Sequence, residues 1–319
     1  MPAHDIIFRR LRPADAEPAF NVYRTALNEY LERARQELVP EENDQTAGFL
    51  HYLRHDASRA WGAERGGELV AYGVAIVRGD WWFLGSLFVL PQAQGSGVGA
   101  ELLRLALSGV PAGSTLATVT DTLQPISNTL YARRGMLPRE VLLGFGGSPG
   151  GGGGGRPAGA RAAGPKGAWR PPWPGLGSLR PESLTPAAVP DLQTIDAAAT
   201  GLDRGVDHAF YLGDGGRRGW LLRRSGRPVA YVLYRDNGWV GPLASVRRED
   251  VAPVLAFALE ELAAAGLEKV SLGVPASCEG AQRVLWEAGL VYQSTPGLLL
   301  ASRPFGRLDR YLPASYGLF

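Results

Sequence analysis

With one cysteine, Cys278, in 319 residues, the chain cannot build an intramolecular disulfide framework or a cysteine-rich metal site. Histidine is nearly as scarce, limited to His4, His51, His55 and His208. His51 and His55 stand four apart, a spacing that suits a metal on a helix, but no H-E-x-x-H pattern accompanies them. They read as a solvated helix face, and no metal is expected. A surplus of one charge is missing too. A formal net charge of +2 provides no strong attraction for nucleic acid or for a membrane surface. Lys166 and Lys269 are the only lysines among 33 basic residues, which reads as a genomic compositional bias rather than a binding feature. No apolar run approaches the roughly 20 residues of a membrane span, and Met1-Pro2-Ala3-His4-Asp5 carries no secretory apolar core. The expectation is a cytoplasmic protein of two domains, each large enough to bury its own core.

Glycine, by contrast, is plentiful, at 43 residues, and the most informative stretch uses it. Leu87-Phe88-Val89-Leu90-Pro91 reads as an apolar strand ending at a proline. Gln92-Ala93-Gln94-Gly95-Ser96-Gly97-Val98-Gly99-Ala100 follows as a tight loop, and Glu101 to Leu107 continues as a helix. Strand, glycine loop and helix start together present free backbone N–H groups to a phosphate. Glycine removes the Cβ atoms that would keep a ligand away from those amides. Two familiar loops are excluded: the glycines alternate instead of following G-x-G-x-x-G, and no lysine stands near to complete a P-loop. On glycine pattern alone, a phosphate cradle and a plain connecting turn both remain open.

Gln94-x-x-Gly97-x-Gly99, set after Leu87-x-Val89-x-Pro91, resembles motif A of the GNAT-type N-acetyltransferase superfamily. The resemblance implies that Phe88, Val89, Leu90, Gln94, Gly95, Ser96, Gly97, Val98 and Gly99 hold acetyl-coenzyme A (acetyl-CoA), with the loop amides on its pyrophosphate. A second segment, Gln124 to Met136, is similar to the family's later helix, N-x-x-[AS]-x-x-x-Y-x-x-x-G-F. Ser127, Tyr131 and Gly135 fall in register; Gln124 and Met136 depart from the usual Asn and Phe. Asn128, one turn on, stands as the replacement for the missing Asn. In many members this tyrosine protonates the departing thiolate, so the resemblance makes Tyr131 both a cofactor contact and the general acid. By helical spacing alone it would be a core aromatic.

The rest of the chain supports a mixed α/β fold. A strand is predicted over 5–11, helices over 13–35 and 45–55, and strands over 60–65, 68–78 and 81–90, with Gly66-Gly67 and Gly79-Asp80 as hairpin turns. After the loop come a helix to about 107, a strand over 115–121, the Tyr131 helix and a strand over 139–144. Residues 146–177 lose all apolar periodicity and contain the unbroken run Gly150 to Gly155; they read as a flexible linker in which only Trp169 and Trp173 could dock onto a surface. Beyond it the chain starts again. Leu179-Arg180-Pro181 echoes Leu11-Arg12-Pro13, and Arg218-Gly219-Trp220 with Pro228-Val229-Ala230-Tyr231 echoes Arg59-Ala60-Trp61 with Leu69-Val70-Ala71-Tyr72. A helix is predicted over 186–199 with Thr185 as its cap. The expectation is two tandem GNAT-like domains, 1–145 and 178–319, joined by the linker.

The second copy lacks the chemistry. Ala244 to Val251 contains no glycine loop, and Leu285 stands where Tyr131 stands when the helices are aligned on Gly289. Cys278 has no histidine partner near in sequence and reads as a buried core residue. The expected reaction is therefore confined to the first copy: acetyl transfer from acetyl-CoA to the primary amine of a small molecule. Backbone amides near Val89 and Leu90 would polarise the thioester carbonyl. Asp121 is the best candidate base, though it could equally cap the next turn, and Glu29 stands behind it. Trp81, Trp82 and Phe83 could line an acceptor pocket or simply belong to a half-buried strand. The acidic residues Glu29, Glu32, Glu37, Glu41 and Glu42 hint at a cationic acceptor. A protein or peptide N-acetyltransferase, and a non-catalytic acyl-CoA sensor or scaffold, are the competing readings. No nucleic-acid or membrane partner is expected, and the chain is expected to be a monomer with an internal pseudo-dimer, or a homodimer.

Overall fold

The computed structural model describes residues 5–42, 45–149 and 175–317. Residues 150–174, most of the expected linker with Trp169 and Trp173, lie outside the described residues. The chain forms two compact units, one of Met1–Thr118 and Thr129–Met136, the other of Val119–Asn128 and Leu137–Phe319.

The first unit begins with β1 (Ile6–Arg10), a 3-10 turn at Pro13–Asp15, α1 (Ala16–Ala34) and α2 (Thr46–Asp56). Three antiparallel strands follow: β2 (Ala60–Arg65), β3 (Glu68–Arg78) and β4 (Trp81–Val89). Gly66 and Gly67, with φ of 59° and 86°, make the two-residue turn whose twist matches its strands. Next are a 3-10 turn at Pro91–Ala93, α3 (Val98–Ala106), β5 (Thr115–Asp121) and α4 (Pro125–Ala132); β5 passes into the second unit at Val119, and α4 starts in that unit and returns to the first at Thr129. The order is β1-β2-β3-β4-β5, and β5 pairs parallel to β4 from Trp81↔Thr115 to Leu84↔Thr118. On one face, Val98 and Leu102 of α3 are buried against Ala63, Val70 and Ala71. Burying a leucine this completely contributes about 2 kcal/mol, so the helix after the glycine loop is firmly anchored. Trp81, Trp82 and Phe83 are fully buried and the Trp82 ring N–H donates to the Ala106 carbonyl at 3.2 Å. They are core residues, not walls of a pocket. His51 is likewise buried and only His55 is exposed, so the pair does not form a solvated face.

The second unit takes the end of β5 and adds β6 (Leu137–Gly147), β7 (Leu179–Ser183), α5 (Val189–Ala199), α6 (Gly205–Leu212), β8 (Arg217–Arg224), β9 (Arg227–Arg235), β10 (Val240–Ser245), α7 (Val251–Ala264), β11 (Val270–Pro275), α8 (Glu279–Glu287), β12 (Val291–Tyr292), β13 (Gly297–Ala301) and β14 (Tyr311–Leu312). One set of strands runs in the order β5-β13-β6-β11, and another in the order β14-β10-β9-β8-β7. The strand expected over 139–144 is longer than its apolar stretch and pairs with two strands from the end of the chain: Val270↔Gly147 to Pro275↔Leu142 on one side, Gly297↔Leu142 to Ala301↔Leu137 on the other. Its glycines have a local reason. A Cβ on Gly144 or Gly146 would collide with the side chains of Ser294 and Gln293. Phe145, between them, is buried with Val254, Leu255 and Leu285. Thr185 makes no side-chain cap bond; Pro186 opens a 3-10 turn, and the helix proper begins at Val189. Helices α6 and α7 were not anticipated. Helix α7 is apolar almost all round, with Val254, Leu255, Ala258, Leu259 and Leu262 buried, so it lacks the polar face that marks an amphipathic helix.

Candidate active site

Two glycines give the loop of the first unit its shape. Gly95 and Gly97 adopt φ of 73° and 87°, a region that L side chains enter at a cost of about 1–2 kcal/mol per residue. Nothing lies within 4 Å of the place a Cβ would take at either, so the surface above them is open. Ser96 donates to the Ala93 carbonyl at 2.6 Å and Gln94 donates to the Val89 carbonyl at 3.1 Å, which ties the loop back to its strand. Val98 is buried and contributes only its amide. The amides of Gly95, Ser96, Gly97, Val98, Gly99 and Ala100 meet no acceptor among the described residues, the first helical bond of α3 being Glu101 N–H to the Gly97 carbonyl at 3.1 Å. Unbonded amides at a helix start, with the positive end of the helix dipole behind them, favour an anion. The group implied by the sequence fits this cradle.

Strand β4 supplies a second set of amides. The Leu90 N–H donates to the Val70 carbonyl at 2.9 Å, so Leu90 is not the carbonyl-polarising donor expected of it. In an antiparallel ladder successive residues alternate between facing the partner and facing away. Leu90 and Phe88 therefore bond toward β3, whereas Val89 and Leu87 direct their N–H groups to the opposite edge. The parallel ladder with β5 covers only Trp81–Leu84, so among the described residues no strand bonds that edge at Leu87 or Val89. Opposite the bulge at Val74/Ala75, Gly85 is the extra residue of β4; such an irregularity re-aims the strand beyond it.

Tyr131 belongs to the first unit and is 5% exposed. Its hydroxyl hydrogen-bonds to no group among the described residues, and burial pushes its pKa well above the usual phenol value. Asp121 and Asn128 belong to the second unit. Both Asp121 oxygens are occupied: one accepts the Leu123 N–H at 2.8 Å and the other accepts the Thr295 hydroxyl at 2.8 Å. The Leu123 bond is a turn cap, and the Thr295 bond ties Asp121 to a distant loop. Asn128 donates to the Asp121 carbonyl at 3.2 Å, while its own oxygen is buried and unbonded. Glu29 differs from Asp121. One of its oxygens is buried without a hydrogen bond, the other lies 3.8 Å from Arg33. Glu29 follows the buried Val22 by two helical turns, so it shares the inward face of α1.

The second copy shows the same backbone without the site. Val246 N–H donates to the Val229 carbonyl at 2.8 Å, the equivalent of the Leu90–Val70 bond. The following 3-10 turn, Arg248–Asp250, runs directly into α7, so no glycine loop intervenes. The β10 edge that corresponds to the bare edge of β4 is covered by β14, through Leu243↔Leu312 and Ala244↔Tyr311. Cys278 is buried, its thiol contacts the Asp309 carbonyl at 3.4 Å, and burial pushes its pKa up to about 12. A thiol so rarely ionised is not a nucleophile. Leu285 is fully buried. Among the described residues no cluster of His, Cys, Asp or Glu could hold a metal ion, and no helix is long and apolar enough to cross a membrane.

A mixed α/β domain with a glycine loop at a helix start, followed by a copy without that loop, is the class that the fold defines. Residues 23–136 match the acetyltransferase (GNAT) family; this part of the chain is a GNAT-family acetyltransferase domain. No curated protein matches the chain. Among solved structures it is similar to a candidate acetyltransferase from Pyrococcus horikoshii, at 17% identity and a TM-score of 0.74 over 100% of this chain and 98% of that one. It is also similar to a GCN5-related N-acetyltransferase from Sphaerobacter thermophilus, at 18% identity and a TM-score of 0.60 over 97% and 100%. A tandem GNAT protein from the clavulanic acid biosynthesis pathway shares 14% identity and a TM-score of 0.58 over 94% and 99%. At these identities the likeness is one of fold, and it extends over both copies.

Proposed function

We propose that the chain is an N-acetyltransferase that moves the acetyl group of acetyl-CoA to a primary amine of a small molecule, in the first copy alone. The observation that carries this reading is the row of unbonded amides from Gly95 to Ala100, in a domain of a family that uses acetyl-CoA. Those amides hold the pyrophosphate, and the outward N–H groups of Leu87 and Val89 polarise the thioester carbonyl as negative charge develops on its oxygen. Tyr131 keeps its proton at neutral pH and gives it to the sulfur as the C–S bond breaks and the N–C bond forms. Asp121 is committed to its turn, so the amine's proton leaves toward Glu29 or water. Holding donor and acceptor together supplies the proximity term, worth several kcal/mol.

Calorimetric titration with acetyl-CoA is expected to find one site per chain. Two equivalent sites would mean that β14 does not block the second copy, and no site would overturn the proposal. A Gly97→Val variant should bind acetyl-CoA about tenfold more weakly, because a β-branched residue strains the left-handed backbone and pulls the amides out of line. Its melting temperature should hardly move, since nothing packs on that position. Unchanged affinity would remove the loop from the cofactor site.

A further inference from the structure

The repeat allows the space between the helices and the sheet to be compared residue by residue in the two copies. Tyr72 of β3 pairs with Phe88, and Tyr231 of β9 pairs with Ala244, at matching registers. Phe49 stands edge-on to Tyr72 at 6.5 Å, and His208 stands edge-on to Tyr231 at 5.3 Å; both lie twelve residues before the tryptophan of the following strand, Trp61 or Trp220. Tyr23 and Asp196 each fall ten residues after the proline that opens the 3-10 turn before the first helix of the copy, Pro13 or Pro186. The two spaces are therefore equivalent, with Tyr23 and Phe49 in one where Asp196 and His208 stand in the other.

In the second copy a cation fills the space. Arg204, 1% exposed, donates to Asp196 at 2.9 and 2.7 Å and to the Tyr231 hydroxyl at 3.3 Å. Its guanidinium also donates to the Tyr311 hydroxyl and lies 4.8 Å from the centre of that ring. In the first copy the residue at the position of Arg204 is Gln45. The rings remain: Tyr23 meets Phe88 edge-on at 5.0 Å, and Tyr72 lies 5.8 Å from Phe88. The groups that act on the Tyr72 phenol, namely Ser86, Tyr23 and Tyr52, are all neutral, and among the described residues no cation stands over Phe49, Tyr72 or Phe88. Tyr23 and Phe88 are partly exposed, whereas Phe49 and Tyr72 are buried beneath them. Phe88 adjoins Val89, whose amide faces the bare edge of β4.

We propose that this aromatic space binds a cationic group of the acceptor, which takes the place that Arg204 takes in the second copy. The inference rests on the N-acetyltransferase reading above and names its substrate class. Aromatic faces favour a charged nitrogen, whereas the attacking amine must be neutral. The nitrogen held by the rings is therefore not the one acetylated. The acceptor is an amine that carries a second group cationic at neutral pH, such as an ammonium or guanidinium.

The test separates this from the parent reading by using probes that cannot be acetylated. Saturation-transfer NMR titrations of the full chain compare tetramethylammonium with tert-butanol, its neutral counterpart of similar shape. Wild type is expected to bind the cation about tenfold more tightly. Phe88→Leu is expected to abolish that preference, and Tyr72→Phe, which keeps the ring, to retain it, with thermal melts reporting that both variants fold. Equal binding of the two probes, no binding of the cation, or a preference that survives Phe88→Leu would overturn the proposal. Acetyl-CoA affinity, measured separately by calorimetry, reports on the acetyltransferase reading: its absence beside intact cation selectivity sinks that reading and leaves the aromatic site standing.

Discussion

Tyr131→Phe will turn over about a hundredfold more slowly than wild type while binding acetyl-CoA equally well. The substitution removes one oxygen from a side chain that is 5% exposed and whose hydroxyl has no partner among the described residues, so it leaves no orphaned group behind and the fold should not notice. On the proposed mechanism, what is lost is the proton for the leaving sulfur. A thiolate expelled into a poorly solvated site is a poor leaving group, and the barrier rises toward its unassisted value. Burial raises the pKa of the phenol, and desolvation in the same site would raise that of a departing thiol in the same direction. It also sets a pH dependence. Tyr131 remains protonated through and beyond pH 10, so its ionisation should produce no alkaline fall in kcat below that point. A steady-state comparison of the two proteins, with calorimetric affinities, settles the assignment. An unchanged kcat removes Tyr131 as the acid, and a lost affinity with unchanged kcat makes it a binding residue only.

Arg204→Ala will lower the melting temperature by roughly 10 °C. Arg204, Asp196 and His208 are all within 1% of full burial, and His208 lies 2.7 Å from the Asp196 oxygen that Arg204 also holds. Burial alone would raise the Asp196 pKa, but the guanidinium, then His208 and the Tyr231 hydroxyl, outweigh it and hold the carboxyl below its ordinary value. Removing the arginine leaves a buried carboxylate without its counter-charge, which costs about 3–5 kcal/mol, at roughly 2–4 °C per kcal/mol for a domain of this size. The sign of the pH dependence follows. In wild type the depressed pKa stabilises the fold above the unfolded value near pH 4, and this is lost as pH falls through the folded value. In the variant the carboxyl pKa rises instead, so the deficit should shrink on acidification. A melting temperature within 2 °C of wild type for Arg204→Ala would show that the network is not a structural element.

The strands of the first unit were legible because apolar runs end at turn-forming residues, β2 and β3 around Gly66-Gly67, β3 and β4 around Gly79-Asp80, and β4 before Pro91. The loop after β4 was legible because three alternating glycines before a helix have few structural uses. Helices α6 and α7 were not, one because its buried face is polar, with His208 and Asp207 in it, and the other because it lacks a polar side. The fate of individual polar groups was also out of reach. Asp121 ends in a turn, Leu90 bonds to Val70, and Trp81 to Phe83 sit in the core. Each outcome depends on which strand lies alongside, and spacing along one chain does not report that.

Local pattern was enough to establish a mixed α/β fold, a repeated plan, a glycine loop at Gln94–Gly99 and a second copy without one, since glycine content and strand periodicity act over a few residues. Long-range pairing decided the rest. It seated β14 on β10, set β13 beside β6, and placed Arg204 between Tyr231 and Tyr311. Hydrogen bonds between residues a hundred or more positions apart form only when the backbone has already brought them together, and a linear sequence does not record that proximity.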